Sequence, residues 1–284
     1  MYKISNHYID IDGDRLRRAV SRLPGFSCFS CSEIAEPSCR FVDGDKICPP
    51  IPADATILYR DAKDGYSSAF AKMQGGTYFF ETSSEVGERL VFVTASDCKT
   101  ATFYGDYTDE LLRFALWLAF GLAVLPSLTV SPHSSSILYE GKVILFLGES
   151  GTGKSTHSRL WLQNIEGSEL FNDDSPIVRV IDGIPIAFGS PWSGKTYCYR
   201  NEHHLLAACV RLHQAPYNKI RRLTLPEAYA ALHPSCPPEF AYDEALYDCV
   251  SNFLGAVISK VPVYDMEALP DADAARLVCD TIFK

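Results

Sequence analysis

Lys142-Val-Ile-Leu-Phe-Leu-Gly-Glu-Ser-Gly-Thr-Gly-Lys-Ser-Thr-His-Ser-Arg-Leu-Trp-Leu162 is the stretch whose reading decides the fold. Residues 142–147 form a short apolar, partly branched run of the kind that makes a buried strand. Residues 148–155 match G-x-x-x-x-G-K-[ST] in full, and residues 155–162 read as the start of a helix. A strand, a glycine loop and a helix in this order are what phosphate binding needs. The glycines let successive backbone N–H groups turn inward around phosphate oxygens, and the helix N-terminus adds partial positive charge. The expected nucleotide contacts are Gly148, Ser150, Gly151, Thr152, Gly153, Lys154, Ser155 and Thr156. Lys154 is placed to reach the β- and γ-phosphates, and the Ser155 hydroxyl to hold Mg²⁺. ATP and Mg²⁺ are therefore the expected ligands.

A phosphate loop alone specifies no reaction. Downstream, residues 170–174 read Leu-Phe-Asn-Asp-Asp, an apolar step ending in two carboxylates. Adjacent strand residues point to opposite faces, but at a strand end the backbone turns and both acids reach one site. One carboxylate would hold the metal and the other would accept a hydroxyl proton. The alternative is a plain acidic turn, since Asp-Asp-Ser-Pro is good turn chemistry.

Farther out, the chain mixes strands and helices around this loop. Residues 177–181 and 184–188 flank Asp182-Gly183, a hairpin signal. A strand is expected near 206–212, helices near 225–232 and 242–254, a strand at 261–264 and a helix over 271–282. A helix over about 108–125, with Thr108 or Asp106 as its cap, joins this half to a different one. The first hundred residues carry short β-prone runs at 55–59, 76–80, 90–94 and 101–104, after an early helix at 14–23. Regular short strands separated by turn residues predict an antiparallel sheet. The expected division is an N-terminal α+β module over 1–106, for packing or recognition, and a catalytic α/β domain over 107–284.

Composition narrows the function classes. The chain has 284 residues, 47% hydrophobic and 12% aromatic, enough for a sizeable core. Its net charge of −9 argues against a nucleic-acid partner. The most apolar stretch, 111–125, carries Arg113 and stops at Pro126, so it reads as a core helix and no membrane role is expected. The first residues show no apolar leader-like run, and ten cysteines are scattered, which points to a reducing cytoplasm. Cys28, Cys31, Cys39 and Cys48 cluster in sequence, but their spacing departs from the usual zinc pattern, and free cysteines are the preferred reading.

Several further residues stand as candidates. The segment 188–196, Phe-Gly-Ser-Pro-Trp-Ser-Gly-Lys-Thr, is a stiffened turn with Lys195 at its tip, placed to meet a phosphate or an acidic substrate. Lys219, Arg221 and Arg222 form a second positive cluster, which either binds the acceptor or is a solvated face. His203 and His204 read as a polar helix start rather than metal ligands. Cys209 and Cys279 sit in apolar runs and read as core.

His133 gains interest only from a resemblance. Its place fifteen residues before Gly148, the serine at 150 inside the loop, and the Asp173-Asp174 pair together resemble the HPr kinase/phosphorylase family and, more distantly, ATP-dependent phosphoenolpyruvate carboxykinases. The matching stretch runs from about 130 to 182. The resemblance implies a P-loop kinase core of that α/β type and phosphoryl transfer to a serine of a protein or peptide. It implies Asp173 as proton acceptor, Asp174 with Ser155 at the metal, and His133 close to metal and γ-phosphate. Lys154, from the loop, and Lys195, from the 188–196 turn, complete the expected catalytic set. HPr kinases are hexamers, so a homo-oligomer is implied as well. The Glu-x-Arg-Gly-x-Gly-Ile signature that follows the diacid in HPr kinases is missing. The 188–196 segment standing there looks like that of HPr-kinase-related enzymes of biosynthetic clusters, including kinases of lasso-peptide precursors. Neither HPr as acceptor nor a phosphorylase activity is therefore implied.

Three readings compete. The first is an ATP- and Mg²⁺-dependent kinase acting on a hydroxyl of a protein, peptide or small molecule. The second is a carboxykinase-like phosphotransferase, for which 284 residues is short. The third is a nucleotide-dependent regulatory ATPase. Residues 218–221, Asn-Lys-Ile-Arg, lack the aspartate of the guanine-reading Asn-Lys-x-Asp, which argues against GTP.

Overall fold

The computed structural model describes every residue except Ile34 and Lys195. It is a mixed α/β protein with two large sheets. The chain divides into two compact units, Met1–Pro126 with Pro238–Tyr247, and Ser127–Pro237 with Asp248–Lys284.

The first unit is built on the strands β1 (Tyr2–Ile4), β2 (His7–Asp12), β3 (Cys39–Asp43), β4 (Thr56–Lys63), β5 (Tyr66–Lys72), β6 (Tyr78–Ser84), β7 (Arg89–Thr94) and β8 (Thr100–Gly105). Their order across the sheet is β1-β2-β3-β8-β7-β6-β5-β4. Neighbours are antiparallel except around β3, which lies parallel to both β2 and β8. Helix α1 (Asp14–Arg22) supplies the crossover between β2 and β3 that a parallel pair requires.

Strands β6 and β7 are apolar on both sides. On one face Phe80 meets Phe92, with ring centroids 5.1 Å apart, and Phe114 of helix α2 (Asp109–Val124) stands edge-on to Phe80 at 5.4 Å. On the other face Ala71, Phe79 and Val91 pack under Cys48, Ile51 and Ala55 of the β3–β4 loop. Arg89 holds that loop by donating to the carbonyls of Cys48 and Pro49 while pairing with Glu81 at 2.7 Å. Arg15 of α1 likewise ties down Asp43 at 2.8 Å and the carbonyls of Gly44 and Gly105.

Helix α2 belongs to this first unit, so the division falls after Pro126 and not at the expected 106/107 boundary. The physical reason is burial: ten of its residues, including Leu112, Leu116 and Phe120, are removed from solvent, and its contacts with β6 and β7 form part of this core. By length and composition the helix 109–127 is apolar enough to cross a membrane, and just over half of that window is buried inside the protein. Among the described residues no group of three or more His, Cys, Asp or Glu is placed to hold a metal. Cys39 is buried, which pushes its thiol up to about 12, and Cys48 donates to the carbonyl of Arg89.

The second unit holds β9 (Thr129–Val130), β10 (Ser134–Tyr139), β11 (Lys142–Leu147), β12 (Glu169–Asp174), β13 (Ile177–Ile181), β14 (Ile184–Phe188), β15 (His203–Gln214), β16 (Lys219–Arg222) and β17 (Val263–Ala268). The path is β12-β10-β11-β15-β14-β13-β9, with β17 also pairing β15 and β16 pairing β17. The long β15 is parallel to β11 along one edge and shares its other edge between β14, near its start, and β17, near its end. Helices α3 (Lys154–Asn164) and α6 (Ala272–Phe283) pack together over the sheet around Phe146, Trp161 and Val278. Helix α4 (Leu225–Leu232) follows β16, and α5 (Glu244–Ile258) runs on from the 238–247 segment of the first unit.

His203 and His204 correct one expectation, because they open a strand and not a helix. His203 stacks on Phe188 of the paired strand at 5.1 Å, and His204 stands edge-on to Phe171 at 5.8 Å. Cys209 and Cys279 are buried, as their apolar surroundings predict.

Candidate functional site

Strand β11 ends at Leu147, and the chain turns through Gly148, Gly151 and Gly153 into α3. Gly153 is the N-cap of that helix at φ 103°, ψ 18°, a left-handed conformation that side chains disfavour. It lets Lys154 and Ser155 start the helix with the first-turn N–H groups left for a ligand. The Lys154 ammonium donates to the carbonyls of Gly148 at 2.8 Å and Glu149 at 3.2 Å, curling over the loop. Burial pushes its pKa down, against the pull of Asp174 and Asp173.

The diacid arrives on the neighbouring side of the sheet by register. Strand β10 pairs antiparallel with β12 so that Ser134 faces Asp174 and Ser135 faces Asp173. The residue before Ser134 is His133, and the same register carries its ring to Asp174, with Nδ1 3.2 Å from Oδ1. The His133 N–H donates to the carbonyl of Ser235 at 2.7 Å, which fixes its backbone. Asp173 is only 7% exposed and accepts a hydrogen bond from the Ser155 hydroxyl at 2.9 Å. For Asp174, burial works to raise the pKa. Hydrogen bonds from His133 and Ser175 and the charge of Lys154 more than offset it, holding the carboxyl below its usual range.

Three residues that the sequence reading passed over hold this arrangement in place. Asn172 is fully buried; its Oδ1 accepts from Ser175 N–H at 2.9 Å, and its amide nitrogen donates to Ser190 Oγ at 3.3 Å and the Trp192 carbonyl at 3.1 Å. Ser190 donates to the Ser175 carbonyl at 2.6 Å, and the Trp192 N–H donates back to Ser190 Oγ. The segment 190–194 is thereby strapped across the end of β12, where the Gly194 N–H donates to the Asp173 carbonyl at 2.8 Å. Gln214, at the end of β15, donates its amide to the Gly151 carbonyl of the glycine loop at 3.1 Å. Nothing local marks Ser190 or Gln214, whose partners are distant in sequence.

His133, Ser150, Gly151, Gly153, Lys154, Ser155, Thr156, Asp173 and Asp174 all line one cleft of about 360 Å³, with Ser135 and Gly194. Gly148 lies beneath it as the carbonyl partner of Lys154. Thr152 faces a second cavity of about 530 Å³, which shares Gly151, Gly153 and Thr156 with the first. Lys195 lies outside the described residues. Lys219, Arg221 and Arg222 are on β16 and line neither cavity; Arg221 pairs with Glu227 at 2.9 Å. Trp192 is 4% exposed and packs in the interior instead of facing a ligand.

No protein-family model matches the chain, and no curated protein matches it. Among solved structures it is similar to the Hpr(Ser) kinase/phosphatase from Coxiella burnetii, at 13% identity and a TM-score of 0.29, over 51% of this chain and 89% of that one. A likeness at that score is distant and assigns no role to any residue.

Proposed function

We propose that this protein is an ATP-dependent phosphotransferase that moves the γ-phosphoryl group to a hydroxyl, with a serine of a protein or peptide as the acceptor class. One observation carries the reading. A glycine loop at the head of a helix, its lysine and serine, two carboxylates and a histidine all line a single cleft. The peptide nature of the acceptor rests on the sequence resemblance alone.

The donors on the metal side are a serine hydroxyl and carboxylates, an all-oxygen set that fits Mg²⁺ and not a softer metal. Mg²⁺ keeps several waters and uses few protein ligands, which agrees with the absence of a larger His, Cys, Asp or Glu group among the described residues. Bound there through Ser155 and Asp173, it would neutralise charge on the phosphate oxygens.

The hydrogen bond from Ser155 to Asp173 supports giving Asp173 to the metal side. The pair with His133 supports Asp174 as the proton acceptor, the reverse of the order expected from the resemblance. His133 donates from Nδ1 and orients that carboxylate. Its lowered pKa makes Asp174 a weak base toward a free hydroxyl, so it takes the proton late, as the hydroxyl turns acidic on bonding to phosphorus. The acceptor oxygen forms its bond to the γ-phosphorus as the bond to the β-bridging oxygen breaks. The hydroxyl proton passes to Asp174, and ADP carries away the leaving electron pair. Lys154 balances charge on the β- and γ-phosphates, and the loop N–H groups fix their position. All ten cysteines are free thiols, which supports a reducing, cytoplasmic setting.

The test is transfer from γ-labelled ATP with Mg²⁺ to HPr, free serine and peptides encoded beside the gene. Labelled acceptor is expected, with Asp174→Asn keeping nucleotide binding and losing at least about a hundredfold in transfer. Lys154→Ala should lose nucleotide binding, and Asp173→Asn should raise the Mg²⁺ concentration that transfer requires. Full transfer by Asp174→Asn removes the assigned base. Hydrolysis of ATP that no acceptor stimulates replaces the kinase with a regulatory ATPase.

A further inference from the structure

The larger cavity, about 530 Å³, takes no part in the chemistry described above, yet it opens from the same loop through Gly151, Gly153 and Thr156. A nucleotide whose phosphates lie on the loop has its nucleoside on one side or the other. The transfer cleft, with the diacid and His133, is the side reserved for the acceptor. The other side is walled by Leu212, Pro216, Leu269 and Pro270, flat apolar surface suited to the faces of a base. His157 adds to this wall: it is 4% exposed and its ring lies 4.6 Å from Phe146.

Gln214 is one polar group there whose orientation is determined; His213, paired with Asp265 at 3.0 Å, is another. Its partner, the Gly151 carbonyl, is solely an acceptor, so the amide nitrogen must face it. The carboxamide oxygen then points the opposite way as an acceptor. An acceptor in that place suits the exocyclic amine of a 6-aminopurine and opposes the carbonyl of a 6-oxopurine. Among the described residues no carboxylate lines the cavity to take the N1–H and 2-amino group of guanine together.

Resting on the phosphotransferase reading for its anchor on the loop, we infer that this cavity holds the nucleobase and that Gln214 selects adenine over 6-oxopurines. Gln214 is thus a specificity residue that also braces the loop.

The experiment compares ATP with ITP, which differ at the 6-position and in the hydrogen on N1, by displacement of a fluorescent N-methylanthraniloyl-ADP from the whole protein. ITP should bind about tenfold more weakly than ATP, the loss of one hydrogen bond plus an opposed acceptor pair. Gln214→Ala should bring that ratio close to one. A residue that merely braced the loop would weaken both nucleotides together and leave the ratio alone. Equal affinities in the wild type, or a ratio untouched by Gln214→Ala, overturn the inference while leaving the phosphotransferase reading intact, provided Lys154→Ala still abolishes binding. Failure of the wild type to bind either nucleotide overturns both.

Discussion

A Cβ built on Gly194 would lie 2.5 Å from the carbonyl oxygen of Asp173, the same oxygen that accepts the Gly194 N–H. Backbone meets backbone here, and no flexible side chain can yield. Gly194→Ala is expected to lift the strap from the end of β12, lowering transfer at least about tenfold through misplacement of the diacid. A labelled-ATP assay checks it, and wild-type rates would show that the strap does not position the carboxylates. Asn172 acts at the same scale. Asn172→Ala leaves the Ser175 N–H without its buried acceptor and removes one of two donors to the Trp192 carbonyl, a loss of about 2–4 kcal/mol summed over the hydrogen bonds. Urea unfolding measures it; a change under 1 kcal/mol would mean water replaces the amide. The loop and the diacid were legible in the sequence because their residues are consecutive. His133 was legible only through a resemblance, since its partner Asp174 is brought to it by strand register. Asn172 and Gln214 were not singled out, because their meaning lies in partners that only the fold supplies.

At the scale of the element, α3 couples the site to the core. Its head carries Lys154 and Ser155, and its far end buries Trp161 completely against Tyr139 and Phe146. Trp161→Ala should cost about 3–5 kcal/mol by leaving a cavity. Trp161→Phe should cost much less, because the indole N–H is buried without a partner among the described residues and its removal offsets part of the lost packing. Denaturation midpoints of the two variants test this, and equal losses would show that the indole N–H is satisfied. The elements that the sequence hid are instructive. Strand β5 reads Tyr-Ser-Ser-Ala-Phe-Ala-Lys, poor in branched residues, and is held by pairing with β4 and β6 on its two edges. His203 and His204 look polar, yet ring packing on Phe188 and Phe171 makes them strand residues. Helix α2 was visible as an apolar run, but which sheet it covers is a tertiary fact.

At the scale of the whole molecule, the chain passes from the first unit into the second, returns for residues 238–247, and leaves again. The returning segment is anchored within the first unit by Asp243, which accepts from Lys72 and from Tyr78 at 3.0 Å, and by Tyr242 stacked on Tyr59 at 5.8 Å. It also buries Glu239, 3% exposed, whose Oε2 has no hydrogen-bond partner among the described residues. Burial first, and the negative charge of Asp61 after it, push this carboxyl from 4.5 up to about 7. The folded state thus holds a proton that the unfolded chain releases at lower pH. Stability is expected to fall as pH rises from about 4.5 to about 7 and to level off above that. Glu239→Gln should remove this slope, gaining on the order of 2–3 kcal/mol at pH 8 relative to pH 4. Parallel pH profiles of unfolding free energy for the two proteins would refute the assignment.

That returning segment also sets an order of events during synthesis. The sheet of the first unit is complete by residue 105, but the carboxylate that Lys72 and Tyr78 share belongs to residue 243. A ribosome must deliver all of 127–237 before the N-terminal unit can close its own ion pair. Until then that unit waits half-finished, and a nascent chain released early would expose the surface that 238–247 should cover.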